Sequence, residues 1–293
     1  MIKKISAVLV IFNKLPDRKN ISKILESGIS NLLVINNNPD YKSSDFLFLN
    51  DIRNTSFIDN KNINGLAGAY NKAIKFYKDN KIECSHILFL DDDSNFESLK
   101  LFLESNLTQE ILSSDKEAVI GPRYIESATG IYGKCVKLTR LCFKVTSPTN
   151  PDLIKVSFII NSFSIWPKET ILKIGNYDEK LKIDHVDTDY CMRANQLGIP
   201  IFINNAVTFE HTIGNRVAYN FLGFKLQSSG HNIERKSLII KNTRILMFRY
   251  GLKNPGFFAL CFVRLIYEFV SVMIAEESKF KKISFMFKAL IYK

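Results

Sequence analysis

Apolar and polar positions along this chain fall into blocks whose period changes from element to element. Ile5–Phe12 is a short, β-branched, mostly apolar run, the pattern of a buried strand. A loop with Pro16 and Asp17 follows, then helical spacing over Asn20–Ser30 and a second short strand, Asn31–Ile35, that runs into Asn36–Asn37–Asn38–Pro39. Asp51–Ile58 supplies a third strand. Asn64–Gly65 opens a helix over Leu66–Asn80 with Ala67, Ala69, Ala73 and Ile74 on its packing side, and Ser85–Leu90 is a fourth strand that stops at Asp91–Asp92–Asp93–Ser94.

Strands alternating with helices predict an α/β fold, a mostly parallel sheet flanked by helices. In such sheets ligands bind beyond the carboxyl ends of the strands, where Asn13, Asn36–Asn38 and Asp91–Asp93 all fall. Past Asn95 the pattern loosens. Ala118–Gly121 and Lys155–Ile160 read as strands around an irregular, Gly/Thr/Ser/Pro-rich stretch, Ser127–Pro151. Pro167–Ile174 and Val186–Leu197 read as helices, and Ile199–Asn204 leads to a further strand-like run, Val207–His211. Neither GxGxxG nor GxxxxGK[ST] occurs, which removes the main support for a dinucleotide fold or a P-loop.

With 293 residues the chain can bury a core without disulfides or structural metals. Its five cysteines are odd in number and lack CxxC spacing, which fits a reducing compartment. The lysines before Ile5–Phe12 resemble a signal-peptide start, but the run is short, β-branched and without a small-residue cleavage site, so a first strand is the better reading.

The charge is placed unevenly: of a net +11, the residues from Gly214 onward carry +10. A basic tail on a near-neutral body points to an anionic partner, either nucleic acid or a membrane surface. Asn254–Ala275 is densely apolar, unlike a nucleic-acid arm, and its polar groups Arg264, Glu268 and Ser271 form one stripe at i, i+4, i+7. Lys279, Lys281, Lys282, Lys288 and Lys293 interleave with Phe280, Ile283, Phe285, Met286 and Phe287, the pattern of a helix lying in an anionic membrane interface rather than spanning it. The competing reading is a helical pair packed on the body or on a partner subunit.

Three consecutive aspartates after a buried strand repel one another unless something compensates. In an extended segment Asp91 and Asp93 share a face and Asp92 takes the other. Paired oxygen ligands of this kind suit Mg2+ or Mn2+ that also holds phosphate oxygens. The competing reading is a helix N-cap in which Asp93 or Ser94 caps Asn95–Glu104.

Read in order, VLVIFN, LLVINN, NGLAGAYNKAI, LFLDDDS, VDTDYCMRANQLG and EHTIG resemble the family 2 glycosyltransferases over about Ile5–Arg216, and within them the rhamnosyltransferases of bacterial surface-polysaccharide assembly. The resemblance implies a GT-A fold, Rossmann-like with a C-terminal helical extension. It also implies inverting transfer of a sugar, L-rhamnose from a dTDP donor by preference, to a lipid-linked glycan. It assigns 1–215 to a catalytic domain (1–94 for the nucleotide-sugar, 95–215 for the acceptor), and the remaining tail, 216–293, is read as membrane-associating from its charge and apolar pattern alone. By the same resemblance Phe12, Asn13, Asn36, Asn37, Asn64, Gly65, Asp91 and Asp92 face the nucleotide-sugar. The family places an aspartate where Asn36 stands, and its asparagine two residues before the glycine, where this chain has Ile63.

By the same resemblance Asp91, Asp93 and His211 form a site for Mn2+ or Mg2+, and Asp187 is the base, with Trp166, Asp184 and Asp189 toward the acceptor; for His211 the competing reading is a satisfied structural histidine. For Asp184, Asp187 and Asp189 the bland alternative is helix capping and solubility, and for Trp166 it is packing. The implied setting is the cytoplasmic face of the cell membrane, with a dTDP- or UDP-sugar, a glycan or glycolipid acceptor and anionic lipid as partners, and no nucleic acid. The rivals are a UDP-galactofuranose or other UDP-hexose transferase, a nucleotidyltransferase, which also uses an Asp-rich strand end but wants a Gly-rich phosphate loop that VIFNKLPDRKN lacks, and a catalytically dead membrane scaffold.

Overall fold

Every residue of Ile5–Ile11 (β1) is buried, as a predominantly apolar run inside a covered parallel sheet must be, and its one polar side chain, Ser6, lies 3.4 Å from the Ser30 hydroxyl. The computed structural model describes residues 4–80, 82–212, 217–221 and 224–291, with backbone alone for 217–221 and 224–227. The expected domain boundary at 215/216 and the Ile213–Gly214 end of the EHTIG segment lie outside the described residues. The chain folds into two units, Met1–Tyr124 with Pro148–Glu210, and Ile125–Ser147 with His211–Lys293.

In the first unit β1 is followed by helix α1 (Arg18–Glu26), N-capped by the Asp17 carboxylate, and by β2 (Asn31–Asn36). A 3₁₀ segment, Ser43–Asp51, precedes β3 (Thr55–Asp59), so the third strand begins four residues later than the apolar pattern suggested. Helix α2 (Gly65–Asp79) leads to β4 (His86–Asp91), and helices α3 (Leu99–Glu104) and α4 (Asn106–Ser113) to β5 (Val119–Glu126). Within the irregular stretch β6 (Cys135–Leu138) pairs antiparallel with β7 (Phe143–Thr146) as a hairpin of the second unit. Then come β8 (Leu153–Val156), β9 (Ser164–Pro167), α5 (Lys168–Ile174), α6 (Val186–Gln196) and β10 (Ile201–His211).

β10 is one continuous strand where the polar pair Asn204–Asn205 had suggested a break. It continues because both amides are satisfied sideways: Asn204 Nδ2 donates to Ser105 and Thr108, and Asn205 Nδ2 donates to the carbonyls of Pro148 and Asn150. The eight-stranded sheet has the order β3-β2-β1-β4-β9-β5-β10-β8. Its first four strands are mutually parallel, and β9 lies antiparallel to both β4 and β5. Register brings Ile11 beside Asn36, Asn36 beside Asp59, and Val10 beside Asp91. The carboxyl ends of four strands therefore share one edge, and the core beneath them includes Leu9, Leu88, Leu90, Ile120, Phe163 and Phe209.

The second unit also contains the hairpin β11 (Val217–Phe221) and β12 (Phe224–Ser228) and three helices, α7 (Ile233–Gly251), α8 (Pro255–Ala275) and α9 (Lys279–Ile291). All five cysteines are free thiols.

Candidate active site

β4 ends at Asp91, and the backbone then turns through Asp92 and Asp93, the Ser94 N–H bonding the Asp91 carbonyl at 3.3 Å, rather than staying extended as the sequence suggested. The Asp92 carboxylate turns to the β1 loop, where its Oδ2 accepts the backbone N–H groups of Phe12, Asn13 and Lys14 at 2.8, 2.6 and 2.7 Å. Burial raises its pKa and these three donors oppose the rise. Asp92, expected to bind the donor itself, instead holds the loop that carries Phe12 and Asn13, both exposed. Helix capping does not account for the other two: Asn95 caps the following turn, its Oδ1 accepting the Glu97 N–H.

Asp91, Asp93 and His211 converge, with one ligand atom from each lying within 4.8 Å of the others. His211 is the last residue of β10, and the Asn95 N–H bond to the Glu210 carbonyl at 3.1 Å ties that strand end to the aspartate loop. Phe163 stacks on Phe209 (centroids 4.3 Å apart) and on Phe96 (6.1 Å), a rigid apolar support for both segments. Two carboxylates and one imidazole are a donor set that fits a divalent cation of the Mg2+ or Mn2+ kind.

Behind this cluster lies a buried polar layer that sequence reasoning missed. Tyr70 of α2 is fully buried, with its hydroxyl 3.4 Å from Asp91 Oδ1. Burial raises its pKa well above the ordinary value, and the charges of Asp91 and Asp187 and the Tyr177 hydroxyl add to the rise, so it stays protonated as a donor. Asn161 donates Nδ2 to the Tyr177 hydroxyl at 3.3 Å. Tyr177 stacks on Tyr190, with centroids 3.8 Å apart. The signal for Tyr70 was its helical spacing with Ala67, Ala73 and Tyr77, all buried on the same side of α2.

Asp187 sits in the first turn of α6, half-buried, its Oδ1 accepting the Thr188 N–H at 2.7 Å. The helix dipole makes the first turn a favourable place for a negative charge. The segment feeding α6 is braced against α2. The Asn71 side chain accepts the Tyr177 N–H and donates to the Tyr177 carbonyl and to Glu179, while the Lys182 carbonyl accepts the Ala67 N–H. Gly65, with φ +67°, has no alternative here: a Cβ would lie 2.6 Å from the Lys182 oxygen.

Several expected ligands serve the scaffold. Asn36 is fully buried; its Nδ2 donates to Asp59 and to the Tyr41 carbonyl, and its Oδ1 accepts the Asn38 N–H, so it does not reach a nucleotide base. Asn37, also buried, accepts from Asn60. Asn64 is exposed at the N-terminus of α2 and donates to Glu179. It lines a cavity of about 470 Å³ with Asn60, Asn71, Lys72 and Glu179, on the flank of α2. Asp189 is buried and paired with Arg193 at 3.0 Å, which makes it part of α6 packing rather than an acceptor contact. Trp166 is fully buried, donates to Ser164 Oγ at 2.8 Å and meets Tyr190 edge-on, so it packs the core and stacks on no acceptor sugar. Asp184 is half-buried on the approach to Asp187.

The mixed sheet and the Asp-Asp-His cluster at its carboxyl edge define a GT-A architecture, and the chain is a glycosyltransferase. No protein-family model matches it. It is 24% identical over 295 residues to the dTDP-rhamnosyl transferase RfbF of Shigella flexneri, an alignment that covers 98% of this chain and 93% of that protein. A crystal structure of GalNAc-T7 with UDP, GalNAc and Mn2+ shares the fold, with a TM-score of 0.53 and 13% identity. That similarity covers 82% of this chain, which spans about half, 47%, of GalNAc-T7.

Proposed function

We propose that the chain is a metal-dependent inverting transferase that moves L-rhamnose from a dTDP donor onto a lipid-linked glycan in O-antigen or capsule assembly. The observation that carries the metal-dependent part is the convergence of Asp91, Asp93 and His211. The preference for dTDP-rhamnose rests on the likeness to the Shigella protein along nearly the whole chain.

In this reading Asp91, Asp93 and His211 would hold Mn2+ or Mg2+, which would supply positive charge against the leaving diphosphate. Asp92 fixes the loop bearing Phe12 and Asn13 against the nucleotide, and Gly65 lets the start of α2 close on the Lys182 segment. Asp187 accepts the acceptor hydroxyl proton as that oxygen attacks the anomeric carbon. Tyr70 keeps a neutral hydroxyl beside the metal-binding carboxylate. The lipid-linked acceptor places the reaction at the cytoplasmic face of the cell membrane.

The test is a panel of dTDP- and UDP-sugars incubated with purified protein, with and without Mn2+ or Mg2+, reading slow donor hydrolysis and nucleotide binding. Metal-dependent turnover of dTDP-rhamnose alone is expected. Turnover of a UDP-hexose or UDP-galactofuranose in its place overturns the donor assignment, and nucleotidyl transfer to a sugar phosphate overturns the class of reaction proposed.

A further inference from the structure

Helix α8 is built inside out for a helix in water. The half of it that faces α7 carries its carboxylate: Glu268 reaches the fully buried Lys236 Nζ at 2.9 Å, and Ser271 is buried beside it, while Arg264 of the same stripe stays exposed. Lys236 also pairs with Glu276 at 2.9 Å, and Glu276 pairs with Lys282 of α9 at 2.7 Å. The opposite half presents Phe258, Phe262, Val263, Ile266, Tyr267, Val270 and Met273 to the outside, with no charged residue among them. Only 28% of its apolar stretch is buried. On α9, Phe280, Phe287 and Ile291 are likewise exposed. A water-facing helix turns its apolar side inward, so a contiguous outward apolar surface of this size marks an interface.

Charge identifies the occupant. Arg264, Lys281 and Lys288 stand exposed on these helices and Lys253 just before α8, whereas among the described residues from 252 to 291 only Glu277 is an exposed carboxylate. A second copy would bring its own cations to meet these, whereas anionic headgroups complement them. Lys282, expected to face lipid, is instead turned inward to Glu276. A spanning orientation is excluded by packing, because the inner half of α8 is engaged by α7, α9, β7 and β12 and cannot also be ringed by lipid.

We propose that the outward flanks of α8 and α9 dock in the interfacial zone of an anionic bilayer, with α8 lying in the membrane plane. This deepens the reading of a lipid-linked acceptor by naming the surface that meets the lipid. The full chain is expected to co-sediment with vesicles of phosphatidylcholine containing phosphatidylglycerol, to bind pure phosphatidylcholine more weakly, and to be partly released by salt. The double variant Phe262→Glu, Ile266→Glu alters only exposed positions. It should partition more than about a hundredfold more weakly, since each lost apolar side chain is worth roughly tenfold, while its circular dichroism and donor hydrolysis match the parent. Unchanged vesicle binding by this variant overturns the proposal. So does a parent chain that ignores anionic vesicles, or one that is a dimer in solution and becomes monomeric in the variant. Vesicle binding by a protein that turns over no sugar nucleotide would retire the proposed reaction and leave the surface standing.

Discussion

The hydroxyl of Tyr70 lies 3.4 Å from Asp91 Oδ1, within the field of the Asp187 carboxylate as well. One buried side chain on α2 thus feels both a carboxylate of the Asp-Asp-His cluster and the proposed base. The contact is long for a hydroxyl donor, so its effect is modest and directional: it biases which Asp91 oxygen turns toward Asp93 and His211. Tyr70→Phe keeps the ring packing and removes only that donor. The half-saturating Mn2+ concentration should rise by about three- to fivefold, the worth of one weak hydrogen bond. Its melting temperature should stay near that of the parent, and a metal titration that superimposes on the parent's would show that the hydroxyl only fills space.

Activity should vanish in EDTA and return with Mn2+ or Mg2+, because two carboxylates left without their cation repel each other where diphosphate must bind. Asp93→Asn and His211→Ala should each weaken metal-dependent nucleotide binding, measured by calorimetry, with the fold intact by circular dichroism. Full activity in chelator would assign the cluster a structural role.

Two aspartates two residues apart on α6 should behave oppositely. Asp187→Asn removes a half-buried carboxylate and should lower kcat by about 10²–10⁴-fold, the usual effect of losing a general base, with donor affinity little changed. Asp189→Asn breaks the buried pair with Arg193 and should cost about 3 kcal/mol of stability in denaturant titration. If the position-187 variant keeps its turnover at saturating donor, Asp184 becomes the candidate base.

Burial disfavours ionised Glu276, but hydrogen bonds from Lys282, Ser228 and Lys236 outweigh it and hold the carboxyl below its ordinary range. A depressed folded-state pKa contributes stability that is present above the unfolded value, near about 4.3 for glutamate, and is lost as pH falls through the folded one. Hydrogen exchange in α8 and α9 should therefore accelerate on acidification below about pH 4.3, and Glu276→Gln should flatten that dependence. An identical acid profile in the variant would assign the acid sensitivity to other groups.

The order of elements in the first unit was legible in the chain because each carries a local signature. β1 and β4 are short, mostly apolar runs and α2 has its packing residues at helical spacing, while the acidic cluster marks the end of β4. His211 could be placed with them from sequence only through the resemblance, since 118 positions separate it from Asp93 and no local rule joins them. The tertiary structure made that meeting, by running β10 unbroken to His211 and tying Glu210 to Asn95. It also decided what local chemistry leaves open, namely which partner a polar side chain finds. Asn36 and Asn37 spend their amides on Asp59, Tyr41, Asn38 and Asn60, Asp189 pairs with Arg193, and Trp166 is sealed beneath Tyr190. The polar stripe of Arg264, Glu268 and Ser271 was visible in the sequence, but the side on which Glu268 faces was not. Lys236, 32 residues away, turns it inward, because a buried ammonium needs carboxylates around it more than a helix needs its apolar face in the core.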